Sequence, residues 1–206
     1  MIELENVAVK RGENVILDDV SFQMPGGQFV SIVGPNGAGK STLIQVISGE
    51  LSLSSGRVAL AERELWTYPA GELATRRVVV PQATQLSFPF TVFEVVALGA
   101  SVPEFGARRP DDAVKRALEC VEMESFAGRI YTSLSGGERQ RVHFARAWCQ
   151  LAARPEPYAP ALILLDEPTA SLDLAHQLLL LDEGRRLAQE GHLVIAVLHD
   201  LNLASM

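Results

Sequence analysis

"FVSIVGPNGAGKSTLIQVISG", Phe29 to Gly49, is the stretch on which the fold turns. Its first five residues read as a short buried strand that ends at Gly34. From Lys40 the pattern becomes helical and stops near Gly49. Between them Gly34, Pro35, Asn36, Gly37, Ala38, Gly39, Lys40 and Ser41, followed by Thr42, satisfy a complete phosphate-loop pattern in the strand-loop-helix setting it requires. Glycines let backbone N–H groups close around phosphates, and the helix start adds positive potential. Lys40 neutralises phosphate charge, and the Ser41 hydroxyl can ligand Mg²⁺. A glycine-rich turn with a surface lysine is the plain alternative, and it does not account for the strand before and the helix after.

Ahead of this segment "MIELENVAV" and "VILDDVSFQM" read as strands, punctuated by "RGEN" and "PGGQ" turns. Beyond it come a turn and strand in "SSGRVALAERE" and a strand in "TRRVVVPQ" ended by Pro81. From Ala83 to about Ser133 the texture is helical, first in "TVFEVVALGA" and then in "RPDDAVKRALECVEMESFA". In the latter, Pro110 and two Asp suit a first turn, and Ala113, Val114, Ala117, Leu118 and Val121 form one apolar face. A helix then begins near Gly137, a strand "ALILL" ends at Asp166, a helix begins near Leu174, and a strand "LVIAVL" ends at His199. Alternating strands and helices with continuously apolar strands predict a mainly parallel sheet covered on both faces. The expected organisation is one α/β domain over 1–206, with 1–82 and 134–206 as the core and 83–133 as an inserted helical subdomain.

The 206 residues carry a net charge of −7, which argues against a nucleic-acid binder that works by broad phosphate neutralisation. No apolar run reaches the roughly 18 to 20 residues of a membrane span, and two Glu stand near the N-terminus where a signal peptide would be basic and then apolar. The expected setting is cytoplasmic. Cys120 and Cys149 have no paired spacing and are expected to be free thiols.

"LILLDEP" supplies acidic groups at the end of a buried strand expected to lie beside the phosphate-loop strand. Asp166 suits Mg²⁺ there, and Glu167 is a candidate base for the attacking water. Gln82 and His199 also end strands, where ligands of open α/β sheets bind, so both are expected to face the γ-phosphate. For each acidic or polar residue alone, a cap or a hydrogen-bonded loop is the plain reading. Their shared placement favours the site.

"YTSLSGGERQRVHFARA", Tyr131 to Ala147, holds a second glycine pair before a basic helix. "LSGGE" in that place, with the phosphate loop before it and "LLDEPT", "SLD" and a strand-ending His after it, resembles the ATP-binding cassette (ABC) ATPase family, in order over essentially the whole chain. The resemblance implies a RecA-like P-loop core with an antiparallel β subdomain and an inserted helical subdomain. It implies ATP and Mg²⁺, and two copies paired head to tail. Ser135, Gly136 and Gly137 would then contact the partner's ATP, and Asp173 would connect the two sites. Gln82 resembles the sensor of Mg²⁺ and attacking water, and His199 the switch histidine.

Two departures stand out. The aromatic residue that stacks on adenine falls at Arg11, where base stacking and an ordinary exposed turn arginine both remain open. Members of the family also continue past the equivalent of Met206, so a C-terminal part is expected to be missing. The absence of heptad arms and fused membrane helices favours an importer subunit over a DNA-repair ATPase or a partner-free iron–sulfur assembly ATPase. "VVVPQ…LSFPFTVFEVVALG" and the proline-rich "ARPEPYAPA" are most similar to haem importers, ahead of ferric siderophore or cobalamin importers. That resemblance implies a separate permease dimer, on which Phe88, Phe90, Val92 and Phe93 would dock, an indirect periplasmic binding protein, and a peripheral place on the cytoplasmic face of the inner membrane.

Overall fold

Two sheets follow from two apolar patterns. The computed structural model describes residues 1–82, 86, 88–105, 111–155, 159–169, 171–198, 200 and 203. In β1 (Ile2–Arg11) the residues Ile2, Leu4, Val7 and Val9 are buried, with register shifts along the strand. It pairs antiparallel with β2 (Asn14–Met24) on one side and β4 (Ser55–Leu60) on the other, and β5 (Arg63–Glu64) adds to β4. The second sheet is parallel and joins β3 (Gln28–Ile32), β6 (Arg77–Val80), β7 (Leu162–Asp166) and β8 (Leu193–Val197).

Both β7 and β8 are buried from end to end, as strands of a doubly covered parallel sheet must be. Alternation divides them between two cores. Leu162, Leu164, Leu193, Ile195 and Val197 pack toward α1 (Lys40–Ile47) and the antiparallel sheet. Ile163, Leu165, Val194 and Ala196 pack toward the other helices. A short helix α2 (Ala70–Arg76) leads into β6.

The order of the parallel sheet is β3-β8-β7-β6. This corrects the expectation that the Asp166 strand lies beside the phosphate-loop strand, because β8 stands between them. The pairing is still in register: Ile32 lies opposite Val197, and Val197 opposite Asp166. Val80 lies opposite Leu165. The carboxyl ends of all four strands therefore reach one level.

Between β6 and β7 lie α3 (Val92–Ala97), α4 (Asp111–Glu119) and α5 (Gly136–Ala153), and α6 (Leu174–Gln189) follows β7. Thr91 and Glu94 form a capping box on α3. Thr91 also bridges Ile130, while Val92 N–H donates to Arg129 and Tyr131 N–H to Phe90, which closes the ends of the helical segment on each other. On α4 the expected apolar face is present: Val114, Ala117 and Leu118 are buried, as is Val121 just beyond it, while Ala113 is half-buried. Pro110 lies outside the described residues. Arg154 closes α5 as a fully buried cation whose guanidinium donates to the carbonyls of Leu151, Thr75 and Ala159. Those acceptors offset its desolvation. Cys120 and Cys149 are free thiols, and burial pushes Cys149 up to about 11.

Gly99, just after α3, lies directly on α5. A Cβ there would stand 2.1 Å from the Arg146 carbonyl oxygen and 3.0 Å from the Gln150 nitrogen. Gly99→Ala is therefore expected to destabilise the chain by about 1–3 kcal/mol, because backbone on both sides must move. Urea unfolding of the two proteins measures this, and an unchanged midpoint would contradict the packing.

Candidate nucleotide-binding site

The phosphate loop leaves β3 and enters α1 through Gly39, whose φ of 88° lies in the left-handed region. A side chain there would also meet Leu17 at 2.9 Å and the Ile16 carbonyl at 3.0 Å, so the loop seats on β2 only as glycine. Within the loop Ala38 N–H donates to the Pro35 carbonyl. Lys40 is buried, and its Nζ donates to the carbonyls of Gly34 at 2.8 Å and Pro35 at 2.9 Å. The ammonium is thereby held inside the curve of the loop.

Across the strand ends, Ser41 Oγ donates to Asp166 Oδ1 at 3.1 Å. This contact spans the position of β8, because α1 carries Ser41 over the sheet edge. A hydroxyl and one carboxylate side by side are the hard oxygen donors that Mg²⁺ takes from a protein when phosphates complete its shell. Next along the chain, Glu167 has a φ of 50°, a left-handed conformation that costs a non-glycine residue about 1–2 kcal/mol. Gln82 Nε2 donates to Glu167 Oε2. A cleft of about 430 Å³ is lined by Asn36, Gly37, Lys40, Ser41, Gln82 and Glu167, together with Gly39, Thr42 and Ile16.

Most of the expected residues thus meet at one mouth. His199 lies outside the described residues. Arg11 is exposed at the end of β1, paired with Asn14, and does not line the cleft. Ile16 of β2 does, and sequence reasoning did not single it out. Its only signal is an apolar residue just after the turn that follows Arg11.

The second glycine pair is elsewhere: neither Ser135, Gly136 nor Gly137 lines the cleft. Ser135 caps α5, which begins at Gly136. Its Oγ accepts from Glu138 N–H, and Glu138 Oε2 accepts from Ser135 N–H at 2.6 Å. Those bonds hold the Glu138 carboxyl below the usual carboxylate range. Pro168, Thr169 and Leu172 are tied to the two neighbouring helices. Gln140 of α5 donates to the Pro168 carbonyl, and Gln177 of α6 donates to those of Thr169 and Leu172. Asp173 caps α6, accepting from His176 N–H and pairing with His176 Nδ1 at 2.7 Å. Of the residues expected to meet a permease, Phe88 is 68% exposed, whereas Val92 is fully buried. Val92 therefore belongs to the core rather than to a docking face. Phe90 and Phe93 are half-buried against that core.

The model of a family described as ABC transporter matches residues 17–170. The chain belongs to the ABC transporter family. It is 47% identical over 194 residues to the hemin import ATP-binding protein HmuV of Rhodopseudomonas palustris (strain BisB5), covering 94% of this chain and 73% of that one. The dimeric structure of a bacterial ABC transporter cassette superposes with a TM-score of 0.82 at 33% identity, covering 100% of this chain and 90% of the other. A dimeric post-hydrolysis state of an ATP-binding cassette, bound to ADP and Pi, superposes with a TM-score of 0.79 at 33% identity, covering 99% and 90%. The fold is accordingly that of an ABC ATPase, and the chain is an ATPase that binds adenine nucleotide. Among the described residues no helix is long and apolar enough to cross a membrane.

The cap on α5 gives a test free of nucleotide. Ser135→Ala is expected to cost about 1 kcal/mol of stability, while Ser135→Asp, an equally good cap, keeps it. Urea unfolding without ATP distinguishes them; equal losses in both variants would contradict the cap.

Proposed function

We propose that this chain is the ATP-hydrolysing subunit of a haem importer, working as a head-to-tail pair on a separate permease. One observation carries the reading. Lys40, Ser41, Asp166, Gln82 and Glu167 converge at the ends of the parallel strands, while the capped start of α5 lies outside their cleft. A second copy can bring its Ser135, Gly136 and Gly137 to the open side of that cleft. The haem assignment is supported by the 47% identity to the hemin import ATP-binding protein of Rhodopseudomonas palustris.

In this reading the loop from Gly34 to Thr42 holds the phosphates, with Lys40 as their counter-charge. Ser41 and Asp166 would hold Mg²⁺, with Gln82 beside them, and its charge would offset that of the phosphates. Glu167 accepts the proton of a water whose oxygen attacks the γ-phosphorus, as the bond from that phosphorus to the β–γ bridging oxygen breaks. Gln82, bonded to Glu167, orients the carboxylate. His199 would complete the γ-phosphate contacts, Arg11 would lie against the base, and Asp173 would pass between the copies. ATP favours the closed pair because only that state offers both sets of contacts, and hydrolysis releases it. The permease places the pair peripherally at the cytoplasmic face of the membrane, and a periplasmic binding protein delivers haem without touching this chain.

Glu167→Gln keeps the shape of the site and removes the base, so it is expected to accumulate as an ATP-bound dimer on size exclusion. Adding Ser135→Asp places a carboxylate where the partner's γ-phosphate belongs and is expected to return it to monomer. In the host bacterium, Glu167→Gln is expected to abolish growth on hemin as sole iron source. Growth lost only on a ferric siderophore would move the cargo to that class, and normal growth on both would overturn the importer reading.

A further inference from the structure

A second cavity, of about 620 Å³, opens between α4 and the long helices α5 and α6, on residues that the nucleotide cleft does not use. Its size is in the range of small-molecule sites. Ala113 and Ala117 of α4, with Cys120 just after it, present one stripe, and Trp148, Leu151 and Leu187 face it from α5 and α6. The apolar walls are accompanied by an uneven set of polar groups.

The acceptors at this cavity already have donors. Arg186 donates to both Glu183 and Glu190, and the Trp148 indole N–H donates to Glu183 at 2.8 Å. Two further donors are less well served. Arg116 pairs with no carboxylate among the described residues. His192 is only 4% exposed and lines the cavity. The backbone N–H of Ala161 donates to its Nδ1 at 3.0 Å, so the neutral ring carries its proton on Nε2. That Nε2–H has no partner among the described residues. Burial, with Arg154 and Arg186 nearby, pushes the imidazole down to about 4, so the ring is a neutral donor at physiological pH.

We propose that this cavity binds a small molecule with a carboxylate on an apolar body. The carboxylate accepts from His192 Nε2–H and Arg116, and the body lies against Trp148, Leu151 and Leu187. Because the walls come from α4 on one side and α5 and α6 on the other, an occupant joins the inserted helix to the core helices. Two sources share this chemistry. One is a porphyrin with propionates, which rests on the haem reading above and would make the cargo a ligand of its own ATPase. The other is a fatty acid, which does not rest on it.

The chain has two tryptophans, so Trp66→Phe leaves Trp148 as the reporter in the cavity wall. In that background, sodium decanoate is titrated against Trp148 fluorescence, and hemin is titrated separately by its visible absorbance. Saturable binding is expected, weakened about tenfold or more by Arg116→Glu, whose exposed side chain leaves the fold intact. His192→Phe, which removes the N–H and keeps an aromatic ring, is the second variant, with urea unfolding to show that it folds. Response to hemin alone assigns a porphyrin carboxylate; response to decanoate alone assigns a fatty acid; response to both assigns apolar carboxylates generally. Saturation by neither ligand at millimolar concentration, or affinities unchanged in Arg116→Glu, would overturn the proposal. A chain that fails the hemin growth test can still bind decanoate, so the two readings fail separately.

Discussion

Everything at the nucleotide cleft depends on the register of one parallel sheet. Strands buried on both faces are pinned only weakly by apolar pattern, since a one-residue slip exchanges one apolar face for another. Polar and backbone groups supply the missing constraint here. Asp166 is the only charged residue of β7, and it reaches an acceptable environment only at the strand end, against Ser41. On β8, the N–H of Leu193 is fixed to Ala161 at one end and that of Leu198 to Ile32 at the other. A slip would break these bonds and move Asp166 into a dry core without its partner, which is costly for a charge. The same register then sets where Glu167 and Gln82 emerge.

The two helix starts serve different ends because their local chemistry differs. At α1 the cap is glycine in a left-handed conformation, with no side-chain acceptor, so no capping side chain competes with phosphate for the N–H groups of the first turn. At α5 the Ser135 and Glu138 capping box already uses two donors. What α5 can offer a partner's phosphate is therefore the Ser135 hydroxyl and the remaining N–H groups of the first turn. Its position is tied to the chemistry by Gln140, which reaches the carbonyl of Pro168, the residue after Glu167.

Signals that are local in sequence were legible. The phosphate loop announces itself by spacing and by the change of period around it, and the end of β7 by an apolar run that stops at two carboxylates. Strand order was not legible, because whether β8 or β7 neighbours β3 depends on pairings more than a hundred residues apart and has no local correlate. Whether Val92 belonged to the core or to a docking face was not legible, because α3 has only six residues, too short for periodicity to separate its core face from its surface. Ser135 with Glu138 did carry a readable capping signature, and it places the start of α5 one residue earlier than the glycine pair alone suggests. Ile16 was hidden because an apolar residue in an edge strand reads as packing.

Among the described residues, those lining the candidate nucleotide cleft fit phosphate, a hard cation and water rather than an imported cargo. Any coupling to transport must therefore leave the cleft through the chain. Gln82 is the natural exit, since it is bonded to Glu167 and begins the stretch leading to the helical segment. At the far end of that stretch, Thr91 is fixed twice, by its capping box with Glu94 and by its bridge to Ile130. Gln82 and Thr91, at the two ends of that span, are thus held one by the candidate base and the other by the helical segment. Phe88, the most exposed large apolar side chain among the described residues, is on that span. In the proposed mechanism Phe88 thus lies in sequence between Gln82, which is bonded to the candidate base, and Thr91, which is fixed to the helical segment.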